Sequence, residues 1–231
     1  MIRVIVTDIE GTTSSIAFVH EVLFPYAREH LGEFVRDWQH EDPLVREQLD
    51  AVAREAGEDP DDIDALVATL ERWIDEDRKE TALKTLQGML WEQGYQHGAF
   101  DGHVYPDAAE YLRFWHDRGY RLYVYSSGSV KAQKLIFGFS SEGDLTPFFS
   151  GYFDTNIGPK KDSVSYRNIL DQLGMEPQHV LFLSDVEAEL EAAEAAGLKT
   201  CWLVREGDLP DSDVRPIARD FREVDALLRR R

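Results

Sequence analysis

Cysteine and long apolar runs are scarce in this sequence, and each scarcity excludes a class of protein. Its 231 residues include a single cysteine, Cys201, so no disulfide bond can form within one chain. Cys201 stands in the apolar run TCWLV and is expected in the core. No apolar run approaches the ~18 residues of a membrane-spanning helix. Because MIRVIVTD enters a predicted strand without a signal-peptide pattern, we expect a cytoplasmic protein.

Basic residues are also in deficit. The chain has 25 Lys and Arg against 44 Asp and Glu, a formal net charge of −19 at pH 7. A surface built for nucleic acid would carry a basic excess, and an anionic membrane would repel this chain. We therefore expect neither nucleic acid nor membrane as a partner. The acidity favours solubility, and a small anionic substrate would need local positive charge or a metal ion.

Short apolar runs rich in β-branched or aromatic residues predict strands buried on both faces, as in a parallel sheet. Helical patterns that end at glycines or polar residues separate these runs. Strand alternating with helix is typical of an α/β fold with a doubly wound, mostly parallel sheet. The predicted strands are residues 2–7, 122–125, 151–153, 180–183 and 200–204, and the predicted helices are residues 107–118, 130–137, 163–173 and 187–196.

The stretch from residue 14 to residue 102 interrupts this alternation. It contains long amphipathic patterns and no convincing strand, with predicted helices at residues 17–38, 43–56, 61–77 and 81–93. We interpret residues 14–102 as an inserted all-helical cap domain. Residues 1–13 and 103–231 would then form a Rossmann-like catalytic core.

Polar groups follow four of the predicted strands. Taken singly, each has a plain structural explanation, such as an acidic turn, a helix N-cap or a solvent-facing lysine. Because ligands of a doubly wound sheet bind at the carboxyl ends of its strands, the ordered series indicates one site. The groups are Asp8 and Glu10 in VTDIEGTT, Ser126 and Ser127 in SSGSV, Lys160 in IGPKK, and Asp185 in FLSD.

This series resembles the motifs of the haloacid dehalogenase superfamily, over the whole chain. The first motif there usually reads Asp-x-Asp, whereas Glu10 stands at the second acid here. Four segments make the chain more similar to one group within it, the bifunctional enolase-phosphatases of methionine salvage, also called acireductone synthases. They are TDIEGTTSSIAFVHEVLFPYA (7–27), LQGMLWEQGY (86–95), GHVYPD (102–107) and YSSGSVKAQKLIFG (125–138).

The resemblance implies a magnesium site made of three acids. Asp8 matches the catalytic nucleophile and also a magnesium ligand. Glu10 matches the second acid of the first motif, and Asp185 matches the later metal-binding acid. One Mg²⁺ ion per subunit is implied, and Mg²⁺ prefers such oxygen ligands.

The resemblance also implies the groups that bind the phosphate. Ser126 and Ser127 match the substrate-binding hydroxyl motif. Lys160 matches the catalytic lysine, and the IGxK spacing selects it over its neighbour Lys161. A lysine and the donors of a strand-to-helix turn can stabilise phosphoryl oxygens.

The implied substrate is a small phosphorylated diketone, and the implied protein is a monomer. 2,3-Diketo-5-methylthiopentyl-1-phosphate would pass through its enol-phosphate to 1,2-dihydroxy-3-keto-5-methylthiopentene, the acireductone, and phosphate. Asp8 would carry an aspartyl-phosphate intermediate. The base for enolisation is not evident from the sequence. Glu10 is a candidate, because its side chain is one methylene longer than the usual Asp.

The methylthio tail of that substrate would need an apolar pocket in the cap. Aromatic residues in the matching segments could line this pocket or form the cap core, and helical spacing favours the core. They are Phe18, Phe24, Trp91 and Tyr95. We expect His20 and His97 to be structural or exposed rather than catalytic.

Three other interpretations stay open at this point. The chain could be a phosphatase of the same superfamily that acts on another small phosphoester without enolisation. It could be a non-catalytic binding module, which loss of Asp8 or Asp185 would indicate, but both acids are present. An acidic interaction protein has only the net charge in its favour.

Overall fold

The computed structural model describes residues 1–210 and 214–229 and divides the chain into two compact units. Residues 1–16 and 101–231 form the first, which we call the sheet unit. Residues 17–100 form the second, which we call the helical unit.

Among the described residues, the sheet unit contains six parallel strands in the order β3-β2-β1-β4-β5-β6. Thr7 at the end of β1 pairs with Val124 of β2 and with Leu183 of β4, so these strands end nearly level. The chain order reverses at β1, which makes its carboxyl end a topological switch point. The strands are β1 (Val4–Thr7), β2 (Arg121–Tyr125), β3 (Gly151–Phe153), β4 (Val180–Ser184), β5 (Lys199–Leu203) and β6 (Ile217–Ala218).

The helical unit contains only helical elements within residues 17–100, all of which the structure describes. Its core is a closed cluster of aliphatic side chains around the fully buried Leu49, Leu66 and Trp73. The helices of this region are α1 (Ile16–Phe18), α2 (Phe24–Trp38), α3 (Pro43–Ala56), α4 (Ile63–Asp75) and α5 (Thr81–Gln96).

A π-helical turn, Val19–Leu23, joins α1 to α2. The amide of Phe24 donates to the carbonyl of Val19, five residues back, instead of four. The indole Nε1 of Trp91 donates to the carbonyl of Leu23 at 2.9 Å, which ties this turn to α5. Such turns are frequent at functional sites.

The aromatic residues of the helical unit divide between core and surface. Phe18 and Tyr95 are buried, and both contact the ring of Phe100 edge-on, so they belong to the core. Phe24 and Trp91 are half-buried, with ring centroids 6.3 Å apart. The two histidines expected to be structural or exposed, His20 and His97, are both exposed.

The remaining helices belong to the sheet unit. Trp115 is fully buried among them, stacks on Phe221 at 5.3 Å and donates its Nε1 to Asp225 at 3.0 Å. These helices are α6 (Pro106–Asp117), α7 (Val130–Gly138), α8 (Ser163–Leu173), α9 (Glu187–Ala195) and α10 (Phe221–Arg229).

The predicted fold class, an α/β fold with a doubly wound parallel sheet, is confirmed. The sequence patterns do not predict β6 and α10. Strand β6 has two residues, which is too short for any periodicity. Helix α10 is amphipathic but only nine residues long, and it buries the charged Asp225 beside Phe221 and Val224. None of the helices in residues 1–210 and 214–229 is long and apolar enough to cross a membrane.

Gly102 provides a test of the packing in the sheet unit. Its amide donates to Phe139 at 2.7 Å and its carbonyl accepts from Ser141 at 2.9 Å. A Cβ here would lie 2.3 Å from the carbonyl oxygen of Ile136, so backbone would have to move. We expect Gly102→Ala to lower the free energy of unfolding by about 1–3 kcal/mol in urea denaturation.

Gly88→Ala in α5 is the matched control, because a Cβ there meets nothing within 4 Å. That change should stabilise the helix by roughly 1 kcal/mol. A Gly102→Ala protein as stable as the wild type would contradict the close approach.

Candidate active site

Asp8 is the first residue after β1, and its side chain is buried in the sheet unit. A tight turn follows at once. The carbonyl of Ile9 accepts hydrogen bonds from the amides of Thr12, Thr13 and Ser14 at 3.1, 2.9 and 2.9 Å. The hydroxyl of Thr13 donates back to the carbonyl of Asp8 at 3.1 Å. The turn thus fixes the backbone on which Asp8 stands.

Lys160 lies between two carboxylates. Its Nζ is 2.6 Å from Oδ1 of Asp8 and 2.7 Å from Oε2 of Glu189, and all three side chains are less than 10% exposed. Burial lowers the pKa of the Lys160 ammonium, but the charges of Asp8 and Glu189 outweigh it and hold the pKa above its ordinary value. Lys160 is therefore a fixed positive charge in contact with Asp8.

Two hydrogen bonds position this ion pair from outside. The hydroxyl of Ser184, the last residue of β4, donates to Oε2 of Glu189 at 2.9 Å. The hydroxyl of Tyr166 on α8 donates to the carbonyl of Lys160 at 2.7 Å. The lysine is held from its backbone as well as from its ammonium group.

Asp185 follows β4 and lies against the turn after Asp8. A Cβ on Gly11 would be 2.2 Å from Oδ2 of Asp185, so only glycine lets the carboxylate approach this closely. Gly11 also has a φ of 74°, which glycine adopts without strain. Oδ1 of Asp185 is buried and has no hydrogen-bond partner among the described residues.

The pKa of Asp185 is raised to about 7, first by burial and next by the negative charge of Asp8. Burial and the charge of Asp8 also raise the pKa of Glu189, which Lys160 partly opposes. Three carboxylates therefore share the site with one ammonium. Their excess negative charge favours the binding of a further cation.

The serine turn follows β2, the neighbour of β1. Ser126 is buried, its amide donates to the carbonyl of Phe153 at 3.2 Å, and its Oγ accepts from the amide of Gly128 at 3.2 Å. Ser127 is exposed. Ser129 is the N-cap of α7, so Ser126 and Ser127 are not used as helix caps.

The structure brings together Asp8, Lys160 and Asp185, and it leaves the Glu10 side chain exposed. In residues 1–210 and 214–229, no three His, Cys, Asp or Glu side chains are grouped to hold a metal ion. The sequence analysis did not identify Glu189. Its position one helical turn after Asp185, in SDVEAEL, is the signal that could have found it.

A divalent cation nevertheless fits this donor set. Mg²⁺ keeps several waters and needs only one or two protein carboxylates. The partnerless buried oxygen of Asp185 and the excess of carboxylates over ammonium are what a cation would satisfy. The buried Asp8 and the half-buried Asp185 are the acids that would hold it.

Comparison with known proteins assigns the family. Residues 2–197 match the family model for haloacid dehalogenase-like hydrolases. The chain belongs to this family. Haloacid dehalogenase-like hydrolases generally use a divalent metal ion, in agreement with the donor set.

Closer relatives of this hydrolase share one name. It is 70% identical over 231 residues to "Enolase-phosphatase E1" of Marinobacter nauticus, with 100% of both chains covered. It is 61% identical over 207 residues to the protein of that name from Pseudomonas fluorescens, with 89% of this chain and 90% of the relative covered. The resemblance seen in the sequence is confirmed.

One solved structure extends the likeness to the fold. The UTR4 protein (Unknown transcript 4 protein) of Saccharomyces cerevisiae superposes with a TM-score of 0.82 at 34% sequence identity. The match covers 96% of this hydrolase and 99% of the yeast chain.

The raised pKa of Asp185 predicts how stability depends on pH when no metal is bound. The folded state keeps a proton on Asp185 up to about pH 7, whereas an unfolded chain releases it near its ordinary pKa of about 4. Between these values the folded state binds more protons, so the free energy of unfolding falls as pH rises. Asp185→Asn should remove this part of the fall, measured by urea denaturation in EDTA between pH 5 and 8.

Asp171→Asn is the control, because Asp171 lies exposed on α8. Its stability should follow the wild-type pH profile. If the Asp185→Asn profile also runs parallel to the wild type, the carboxyl is not perturbed by its surroundings.

Proposed function

We propose that this chain is a magnesium-dependent enolase-phosphatase of methionine salvage. It would convert 2,3-diketo-5-methylthiopentyl-1-phosphate through its enol-phosphate to acireductone and phosphate. The observation that carries the proposal is the buried Asp8 at the end of β1, with Lys160 2.6 Å from one carboxylate oxygen. The substrate is inferred from relatives named Enolase-phosphatase E1 that are 55–70% identical over most of the chain.

Asp8 is proposed as the nucleophile of the phosphatase half-reaction. Lys160 fixes Oδ1 of the Asp8 carboxylate, and this contact orients the second oxygen of that carboxylate for attack on phosphorus. A bond forms between this oxygen and phosphorus while the ester P–O bond breaks and its electrons leave with the acireductone oxygen. Water then hydrolyses the aspartyl-phosphate and restores Asp8.

Lys160 and the serine turn are proposed to bind the phosphoryl group. The ammonium is in contact with the nucleophile, so it lies where negative charge develops on the transferring group. Ser126 and Ser127 follow β2, one strand away, and can contribute their hydroxyls, together with the amide of the exposed Ser127.

Magnesium is the proposed metal, held by Asp8, Asp185 and Glu10. Bound Mg²⁺ would supply positive charge that offsets the repulsion between phosphate and the carboxylates. Asp8 is buried, and Asp185 is half-buried with an inaccessible Oδ1 that has no hydrogen-bond partner among the described residues. Glu10 is the weaker ligand candidate, since its side chain is exposed.

Glu10 is also the proposed base for enolisation. The proton lost in this step sits on the carbon that bears the phosphate, next to a carbonyl group. A carboxylate two residues after the proposed nucleophile is suited to accept it, because a carboxylate can act as a general base and this one is exposed.

The helical unit is proposed to act as the cap that selects the methylthio tail. Its half-buried pair Phe24 and Trp91 offers an aromatic surface suited to an apolar thioether. We further propose that the enzyme is a cytoplasmic monomer.

Asp8→Asn tests the nucleophile. Phosphate release from the diketone phosphate with Mg²⁺ should fall by at least about a thousandfold, because an amide oxygen is a poor nucleophile. The enol should still form, detected by its ultraviolet absorbance, and the fold should persist because Glu189 still pairs with Lys160.

Asp171→Asn, on the exposed face of α8, should release phosphate at the wild-type rate. Near-normal turnover in Asp8→Asn would show that the nucleophile lies elsewhere. A wild type that cleaves generic phosphoesters but not the diketone phosphate would instead indicate a phosphatase without enolisation.

Glu10→Gln tests the base. Enol formation should fall by about a hundredfold or more, since general base catalysis contributes about 10²–10⁴ in rate. Mg²⁺ affinity, measured by calorimetric titration, must stay near the wild-type value for this result to report on the base. Undiminished enolisation by Glu10→Gln would assign the proton transfer to another group.

A further inference from the structure

Arg205 has no role in the site described so far, yet it is tied to the turn that follows the nucleophile. It lies two residues beyond β5, and its side chain is 8% exposed. Its Nε and Nη2 both donate to the carbonyl of Thr12, at 2.9 and 2.5 Å. Thr12 belongs to residues 9–14, the tight turn that follows Asp8 and contains Glu10.

The other side of the guanidinium is anchored on the framework. Nη1 donates to both carboxylate oxygens of Asp107 on α6, at 2.9 and 2.8 Å. Asp107 also accepts from the amide of Phe221, the first residue of α10, at 2.9 Å. Arg205 therefore connects the N-terminal ends of α6 and α10 to the carbonyl of Thr12.

Aromatic rings fix the plane of the guanidinium. Its Cζ lies 4.1 Å from the centroid of the Tyr105 ring and 5.3 Å from that of Phe221. The amide of Tyr105 donates to the carbonyl of Thr13 at 2.9 Å, so consecutive carbonyls of the turn are held by adjacent groups. Only a planar guanidinium group can make these hydrogen bonds and ring contacts together, and the ammonium of a lysine cannot.

The charge of Arg205 is paired with Asp107, so it is not directed at an anionic substrate. Its contact with the reaction is indirect, through the turn. A shift of about 1 Å in a catalytic group can cost about a hundredfold in rate. A side chain that fixes this turn would therefore affect the rate of turnover.

We propose that Arg205 is a positioning residue, which holds residues 9–14 so that Asp8 stays aligned for attack. This inference rests on the proposed function for its kinetic part. Its structural part, the immobilisation of the turn, can be measured without any substrate.

Arg205→Lys is the test, with Arg215→Lys as the matched control. The side chain of Arg215 is 4% exposed, donates to Glu194 and Glu187, and lies over Trp202 at 5.9 Å. Arg215 therefore has a comparably buried guanidinium group, and its partners lie outside residues 9–14. Arg205→Lys should lower kcat for phosphate release by about 10- to 100-fold with little change in KM. Arg215→Lys should stay within about twofold of the wild type.

Hydrogen exchange followed by mass spectrometry provides the second readout. In Arg205→Lys, amides of residues 9–15 should exchange about tenfold faster or more, and in Arg215→Lys they should exchange at the wild-type rate. Both variants are compared well below their melting temperatures. Equal effects of the two variants on kcat, or unchanged exchange in the turn of Arg205→Lys, would overturn the proposal.

Asp107→Asn supports the test if Arg205→Lys does not fold. It keeps the donors of Arg205 to Thr12 but weakens their anchor, so kcat and turn exchange should change in the same direction by a smaller factor. Wild-type values for both would overturn the proposal. A wild type that releases no phosphate from the diketone phosphate would refute the proposed function, whereas the exchange comparison would still decide the role of Arg205.

Discussion

The ammonium of Lys160, buried between the carboxylates of Asp8 and Glu189, is the interaction on which the site depends. Three separate parts of the chain must meet for it to form: the end of β1, the segment after β3, and α9. Removing the ammonium would leave both buried carboxylates without a counter-charge, and breaking a buried ion pair in this way costs about 3–5 kcal/mol. The same triad that orients the Asp8 carboxylate therefore also constrains how the segments at the carboxyl edge of the sheet pack together.

The local patterns predict most of this architecture because they depend on neighbours in sequence. Buried parallel strands are recognisable as β-branched runs, and the positions of Asp8 and Asp185 follow from where those runs end. Glu189 and Arg205 could not be predicted in the same way. Each is a charged residue, for which exposure is the ordinary expectation, and its ion-pair partner, Lys160 or Asp107, is distant in sequence.

The net charge of the chain and the local charges of the site have opposite effects on a phosphate ester. A net charge of −19 favours solubility, but it disfavours the approach of a phosphate ester. Two features of the sheet unit oppose this repulsion. Lys160 contributes a buried positive charge, and the neighbouring carboxylates of Asp8 and Asp185 favour the binding of a cation. Arg205, whose charge is matched by Asp107, contributes order to the turn rather than attraction.

The π-helical turn at Val19–Leu23 has a consequence for how this chain can vary. A turn with a five-residue hydrogen bond accommodates one residue more than an α-helix would, and that residue shifts the helical phase of Phe18 by about 100°. Losing one residue here would remove this phase shift and change the direction in which Phe18 points relative to Phe100, which it now contacts. The turn therefore works as a local adjustment of helical phase, stabilised by the bond from Trp91 to Leu23.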